Sequence, residues 1–176
     1  MGWGLFAPSP LSLRRKGIRL KRKFAILILL FGLIFLANKA EALDITVTGD
    51  WSETINASDL ISGAGSDLIG GYETASNAVS LSISGTTGTW RIDVKRVDST
   101  WPGDLILYVK RTSDGTGSGS ISGGQSYQEV TDTDLSFFSG NGDRSNVNVQ
   151  LKLTGVSIQV PLDTYTTTVY YTVSDQ

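Results

Sequence analysis

From Leu43 to the C-terminus, apolar and polar residues alternate with a period of two, which predicts half-buried β-strands. The pattern is clearest between Asn146 and Leu153, where valine or leucine occupies every second position. Because only one face of each strand is apolar, we expect antiparallel sheets. The same alternation predicts further strands around 45–47, 79–83 and 90–94, and the segment 165–173 is rich in the Thr, Val and Tyr that suit a final strand.

The segment Leu105–Val109 is apolar on both sides, which predicts a central strand covered on each face. Glycine, proline and aspartate separate the apolar segments at short intervals, so we expect about eight short strands folded into a two-sheet β-sandwich. The segment Ser113–Gly124 contains five glycines and four serines. It offers few side chains for packing, and we therefore predict a flexible hairpin tip.

The N-terminus has the three parts of a secretory signal. Seven basic residues between Arg14 and Lys23 precede the apolar segment Phe24–Ala37, and Ala40-Glu41-Ala42 follows as a cleavage site. We expect a helical signal peptide at 1–42 and a single β-sandwich domain at 43–176. An uncleaved anchor is the alternative, although the apolar segment is shorter than the roughly 20 residues of a membrane-spanning helix.

Either form of the leader predicts export to the periplasm, the cell surface or the medium, with membrane contact only through an uncleaved leader. Much of the positive charge of the chain lies in the leader, so cleavage removes it from the domain. The remaining domain has 7 basic and 16 acidic residues, a net charge near −9. This charge disfavours nucleic acids and anionic membranes as partners. The chain has no cysteine, so burial and not disulfide bonding must stabilise the domain.

The chain contains neither histidine nor cysteine. Serine triads, cysteine nucleophiles and metal sites built on imidazole or thiolate are therefore excluded, and we expect a protein that is not an enzyme. Paired carboxylates could still hydrolyse a glycoside, and Asp132 and Asp134 are the closest pair. The alternative for these two residues is a solvated turn.

Oxygen ligands suited to calcium stand on both sides of Phe137-Phe138. They do not follow the spacing of an EF-hand loop, and no other cofactor is expected. The candidate metal ligands are Asp132, Asp134, Asn141 and Asp143.

Exposed aromatic rings could bind a planar or apolar ligand such as a sugar. The candidate residues are Trp51, Tyr72, Trp101, Tyr108, Tyr127 and Tyr170. We base the predicted ligand-binding site on Trp101, Tyr108 and Tyr72. Trp101 lies in the turn Ser99–Gly103, where its ring either binds a ligand or covers the end of the sandwich. Trp90 begins an alternating apolar face and is expected in the core.

The closing segment Val160–Val173 reads Val-Pro-Leu-Asp-Thr-Tyr-Thr-Thr-Thr-Val-Tyr-Tyr-Thr-Val. It resembles the last strand of bacterial pilin subunits and spore-coat-U-type secreted proteins, over about 15 of the 134 residues that follow the leader. Asp163 stands where those proteins usually have glycine, and the paired cysteines of pilins are missing. The resemblance implies an immunoglobulin-like sandwich at the cell surface, assembly by β-strand addition, and no catalytic residues.

The leading hypothesis is a non-catalytic, secreted or periplasmic β-sandwich that acts as a structural or adhesive cell-surface component. Its expected partners are further copies of itself or the proteins and glycans of the envelope. The alternative is a carbohydrate-binding module that uses exposed aromatic side chains. A small hydrolase based on Asp132 and Asp134 is the third hypothesis.

Overall fold

The computed structural model describes residues 42–176, which form two antiparallel β-sheets and no α-helix. The predicted signal helix lies outside the described residues. Residues 41–176 form one compact unit that contains every described strand and both apolar clusters. No helix in the described part is long and apolar enough to span a membrane.

The described chain contains eleven strands and one short 3₁₀ turn, joined by loops. Seven strands have five or more residues, whereas β2, β6, β7 and β8 have only two or three. In chain order the elements are β1 (Asp44–Thr48), the 3₁₀ turn (Ala57–Asp59), β2 (Gly71–Glu73), β3 (Val79–Ser84), β4 (Thr89–Thr100), β5 (Ile106–Arg111), β6 (Thr116–Gly117), β7 (Ile121–Gly123), β8 (Gln128–Glu129), β9 (Leu135–Asn141), β10 (Arg144–Thr154) and β11 (Thr166–Asp175).

The larger sheet has seven strands and is centred on β10. Its main path is β1-β3-β10-β5-β8, and the short strands β2 and β6 also pair with β10. The smaller sheet has four strands in the order β11-β4-β9-β7. Every pair is antiparallel, as the one-sided apolar pattern predicts.

The two sheets share one hydrophobic core, which gives the molecule a β-sandwich-like architecture. The alternating positions of β3, β4 and β10 are buried as predicted, and Trp90 is fully buried. The core side chains come from both sheets: Val79, Leu81, Ile83, Leu107, Val109, Val147, Val149 and Leu151 from the larger, and Trp90, Ile92, Val94, Phe137, Phe138 and Tyr171 from the smaller.

Strand β5 is central, as predicted, but only one of its faces is fully covered. It lies between β10 and β8, and its inward residues Leu107 and Val109 are buried. Ile106 and Tyr108 point the other way and are half-buried. The apolar character of both faces therefore indicates a partly exposed aromatic surface on the outer side of the larger sheet.

Two β-bulges place extra residues toward the core. Along β9 the register shifts between the partners of Ile92 and Asp93, so that the consecutive residues Phe137 and Phe138 are both buried. Along β10 the register shifts between Arg144 and Val147, with Asn146 at a φ of 57°. Arg144 is consequently buried although it precedes the regular alternation of this strand.

The predicted flexible hairpin tip at Ser113–Gly124 is wrong, because this segment pairs with both sheets. Its strand β6 pairs with β10 and its strand β7 pairs with β9. The segment is attached through its backbone: Arg111 Nε donates to the Gly123 carbonyl at 2.8 Å, and Arg144 Nη2 donates to the Gly119 carbonyl. Glycine suits this role because backbone groups can approach closely where no side chain intervenes.

Candidate functional site

Trp101 contributes to the packing at one end of the molecule. Its ring packs against the main core and against a second apolar cluster formed by Leu105, Leu153 and Val156. The indole Nε1 donates to the Leu105 carbonyl at 2.8 Å, and the Arg96 guanidinium lies 5.6 Å from the ring centroid. These contacts favour the predicted covering role of Trp101 over ligand binding.

Tyr72 also packs against the second apolar cluster. It lies in β2 opposite Leu153, so its side chain is on the inner face of the larger sheet. Burial raises the pKa of the Tyr72 hydroxyl, and the nearby Asp59 carboxylate raises it further. Tyr72 and Trp101 therefore belong to the same interior cluster, whereas Tyr108 lies on the opposite face of the sheet.

Tyr108 belongs to a row of side chains that crosses the outer face of the larger sheet. Strand pairing places Glu73 of β2 opposite Lys152 of β10, Lys152 opposite Tyr108 of β5, and Tyr108 opposite Glu129 of β8. Lys152 Nζ and Glu73 Oε1 form an ion pair at 3.2 Å. The row therefore combines one aromatic ring with charges of both signs on a solvent-facing surface.

Tyr127, directly before β8, completes this surface. Its ring meets that of Tyr108 edge to face, with centroids 6.5 Å apart. Lys110 Nζ lies 4.3 Å and Lys152 Nζ 5.1 Å from the centroid of the Tyr127 ring, both within cation–π range. We call Glu73, Tyr108, Lys110, Tyr127 and Lys152 the Tyr127 cluster.

The charges of the Tyr127 cluster influence one another. The hydrogen bond from Lys152 lowers the pKa of the Glu73 carboxyl, and the Tyr127 hydroxyl acts in the same direction. Desolvation, followed by the nearby Glu73 carboxylate, raises the pKa of Tyr127 to about 12. The Tyr127 hydroxyl is buried beside this carboxylate without good hydrogen-bond geometry to it. Tyr127 is therefore neutral near neutral pH, and Glu73 is charged.

Lys110 is one of two basic residues in 42–176 that form no ion pair, and its nearest carboxylate influence is the longer-range charge of Glu73. Five of the seven basic side chains in this range form ion pairs with acids: Arg91, Lys95, Arg96, Arg111 and Lys152. Arg144 is buried and donates to a backbone carbonyl. Lys110 instead lies over an aromatic ring on a half-buried surface. Its ammonium group is therefore available to an anionic partner.

The four predicted metal ligands are divided between the two ends of β9. Asp132 and Asp134 precede this strand, whereas Asn141 and Asp143 lie at its far end, roughly 20 Å away at the rise of an extended strand. The structure therefore does not bring the four side chains together. Within residues 42–176, no group of three or more acidic side chains has the geometry to hold a metal ion.

Three of these four residues make structural contacts. Asp134 pairs with Lys95 at 2.8 Å, and the Asn141 side chain accepts from the Ser120 backbone amide at 2.6 Å. Asp143 accepts from the Thr86 amide at 3.0 Å and its hydroxyl at 2.8 Å, which lowers the pKa of Asp143. Asp132, the other member of the proposed carboxylate pair, is exposed.

Sequence reasoning included Tyr127 among the candidate aromatic residues but missed Glu73, Lys110 and Lys152. The only local signal is the spacing of Tyr108 and Lys110, which two-residue periodicity places on the same strand face. The contributions from β2, β10 and the residue before β8 depend on the strand order. No pattern within one strand could have predicted them.

The fold and this surface together define an all-β protein of two antiparallel sheets, with an aromatic and cationic cluster on the outside of the larger one. In comparisons with known proteins, the chain matched no family model, no curated protein and no solved structure.

Proposed function

We propose that this chain is an exported, non-catalytic domain with an immunoglobulin-like sandwich fold, acting as an adhesive or structural component of the cell surface. The leader-like N-terminal pattern supports export, and the pilin-like closing segment supports a cell-surface role. The observation that carries the adhesive role is the Tyr127 cluster. It offers aromatic rings and an ammonium group, that of Lys110, which forms no direct ion pair, on a solvent-facing sheet.

Such a surface suits adhesion because most of it is already ordered by strand pairing. Four of its five side chains stand on the paired strands β2, β5 and β10, which limits the backbone freedom lost when a partner binds. Tyrosine provides a large contact area with few rotatable bonds, and a partner that displaces water from Lys110 gains an ionic contact. The net charge near −9 repels densely charged polyanions, but the two ammonium groups beside Tyr127 form a local cationic site. The partner class that fits this local site best is an envelope polymer with sparsely spaced carboxylate or phosphate groups.

The test is cosedimentation of the unit 41–176 with purified envelope fragments of the producing organism. We expect the wild-type unit to pellet with the fragments, and Tyr108→Ala or Lys110→Gln to weaken this binding by about tenfold, the scale of a central contact residue. Lys95→Gln is the matched control, because it removes the same charge from the other sheet. Wild-type protein that stays in the supernatant would refute the adhesive role.

The second candidate is a carbohydrate-binding module, favoured by the adjacent Tyr108 ring and Lys110 ammonium. An aromatic ring can stack on a sugar while the ammonium binds an acidic substituent. Affinity electrophoresis in polygalacturonate should retard the wild-type unit but not Lys110→Gln, and dextran should have little effect. Equal mobility in both gels would argue against a module for acidic glycans and leave the envelope test unaffected.

A further inference from the structure

Strand β11 forms one edge of the smaller sheet and has a partner strand on one side only among residues 42–176. It pairs with β4 along all ten of its residues. In antiparallel pairing, about half of a strand's backbone N–H and C=O groups point toward one neighbour and the rest point the other way. The open side of β11 therefore presents a row of backbone donors and acceptors, which is a template for pairing with another chain.

The open edge of β11 lacks the three commonest protections against such pairing, namely short length, charge and proline. Its residues 166–174 include no charged residue, no proline and no glycine, and they are rich in Thr, Val and Tyr. In natural proteins, short length, charge or proline at an edge strand prevents pairing with another chain. The other edge strands of the described sheets follow this rule. Strands β2 and β7 have three residues and β6 has two, β8 has two and contains Glu129, and β1 has five and begins with Asp44.

Strand β1 lies close to β11 where the two sheets approach each other, but its backbone pairs with β3 and not with β11. Five residues also cannot cover a strand of ten. The side chains on the outward face of β11, including Thr168, Tyr170 and Thr172, are exposed. Among residues 42–176, no backbone hydrogen bond joins β11 to a strand other than β4, so part of this edge remains open to another strand.

We propose that two copies of this chain pair through β11, antiparallel across a two-fold axis, so that their four-stranded sheets join into one continuous sheet. A two-fold contact uses the same surface on both copies. Because the domain is strongly acidic, two copies approach most easily where the contact strand is uncharged. Pairing centred on Tyr170 would also place Asp175 of one copy opposite Tyr165 of the other, so no acid would face an acid.

This pairing lies on a different sheet from the Tyr127 cluster, so it does not depend on the proposed function. The pairing extends the proposed adhesive function, because a dimer would present two copies of the Tyr127 cluster to the same envelope surface. Two linked sites bind a repeating polymer more tightly than either site alone when the spacing allows both to engage.

A cysteine scan tests the geometry directly, because the chain contains no cysteine and each introduced thiol is unique. We expect at least one of Thr168→Cys, Tyr170→Cys and Thr172→Cys to form a disulfide-linked dimer under mild oxidation. Residues facing each other across antiparallel strands have Cα atoms about 4.5 to 5.5 Å apart, within reach of a disulfide. Thr46→Cys, exposed on β1, is the control. Equal crosslinking at Thr46, or none at the three β11 positions, would overturn the proposal.

Sedimentation velocity on the cysteine-free unit provides the second test. We expect a monomer–dimer equilibrium, and Thr172→Lys should raise the concentration of half-dimerisation by about tenfold because it places a charge at the contact. Ser122→Lys adds the same charge to β7, at the opposite edge of the smaller sheet, and should change nothing. A wild-type unit that stays monomeric throughout, or that forms mainly larger assemblies, would contradict a two-fold β11 pair. Circular dichroism verifies that each variant is folded.

Discussion

Arg111 shows how a single side chain can organise a segment that has few side chains of its own. It is only 3% exposed and lies at the end of β5 on the core side. Its guanidinium donates to the carbonyls of Gly123 and Ser113, pairs with Asp114, and lies 5.8 Å from the Phe138 ring centroid. Arginine suits this position because its planar guanidinium group carries several N–H donors in fixed directions.

We predict that Arg111→Ala lowers the free energy of unfolding by about 2 to 4 kcal/mol, because the Gly123 and Ser113 carbonyls lose their donor and the buried stem of the side chain leaves a gap. Urea unfolding followed by circular dichroism measures the change. Arg91→Ala removes an arginine whose side chain is far more exposed than that of Arg111, and it should have a much smaller effect. Similar losses in the two variants would mean that Arg111 does not anchor the glycine-rich segment.

At the scale of elements, the connection from β5 to β8 links the two sheets. It contributes β6 to the larger sheet and β7 to the smaller, and then returns to the larger sheet at β8. Gly117 in β6 has a φ of 142°, and a Cβ atom there would overlap the Asp143 carbonyl. The absence of a side chain at Gly117 is therefore a condition for the pairing of β6 with β10.

We predict that Gly117→Ala destabilises the fold by about 2 kcal/mol or more, through strain at a positive φ and displacement of the neighbouring backbone. The matched control is Gly88→Ala, where no atom lies within 4 Å of the added Cβ and φ lies outside the positive region. This control should be neutral or stabilising by up to about 1 kcal/mol. Urea midpoints compare the variants, and equal midpoints would contradict a structural role for β6.

For the whole molecule, acid groups that connect distant parts of the chain predict the response to pH. Asp67 accepts from the backbone amide of Ile158 at 3.0 Å and joins two long loops, and Asp143 accepts from Thr86. These backbone hydrogen bonds lower the pKa of both carboxyls in the folded state. A group with a lowered pKa stabilises the fold above its unfolded pKa and loses this effect as the pH falls through its folded pKa.

We therefore predict that stability is retained near neutral pH and declines once the pH falls below about 4, the range in which unfolded aspartate takes up a proton. Urea midpoints measured from pH 7 to pH 2.5 show how the stability of the fold depends on pH. Asp143→Asn should be less stable than wild type at neutral pH and should flatten the acid decline. Asp132→Asn, whose side chain makes no hydrogen bond within residues 42–176, is the control for the loss of one surface charge. A wild-type midpoint that does not fall in acid would refute this assignment.

The sequence by itself determined the class of structure. Apolar residues at alternate positions such as Val147, Val149 and Leu151 indicate which face of a strand is buried. This signal can be read from residues that are close together in the chain. It correctly predicted antiparallel sheets, the buried Trp90 and the central position of β5. It gave no prediction for the burial of both Phe137 and Phe138, because a bulge depends on the register with the partner strand.

Only the tertiary structure decided where the surface chemistry lies. The Tyr127 cluster combines β2, β5, β10 and the residue before β8, so it exists only because those strands are neighbours. The same is true of the glycine-rich segment, whose pairing follows from buried arginines on other strands, and of β11, whose open side follows from its place in the sheet. The physical reason is that side-chain periodicity is local, whereas sheet order and register are set by contacts between residues far apart in the chain.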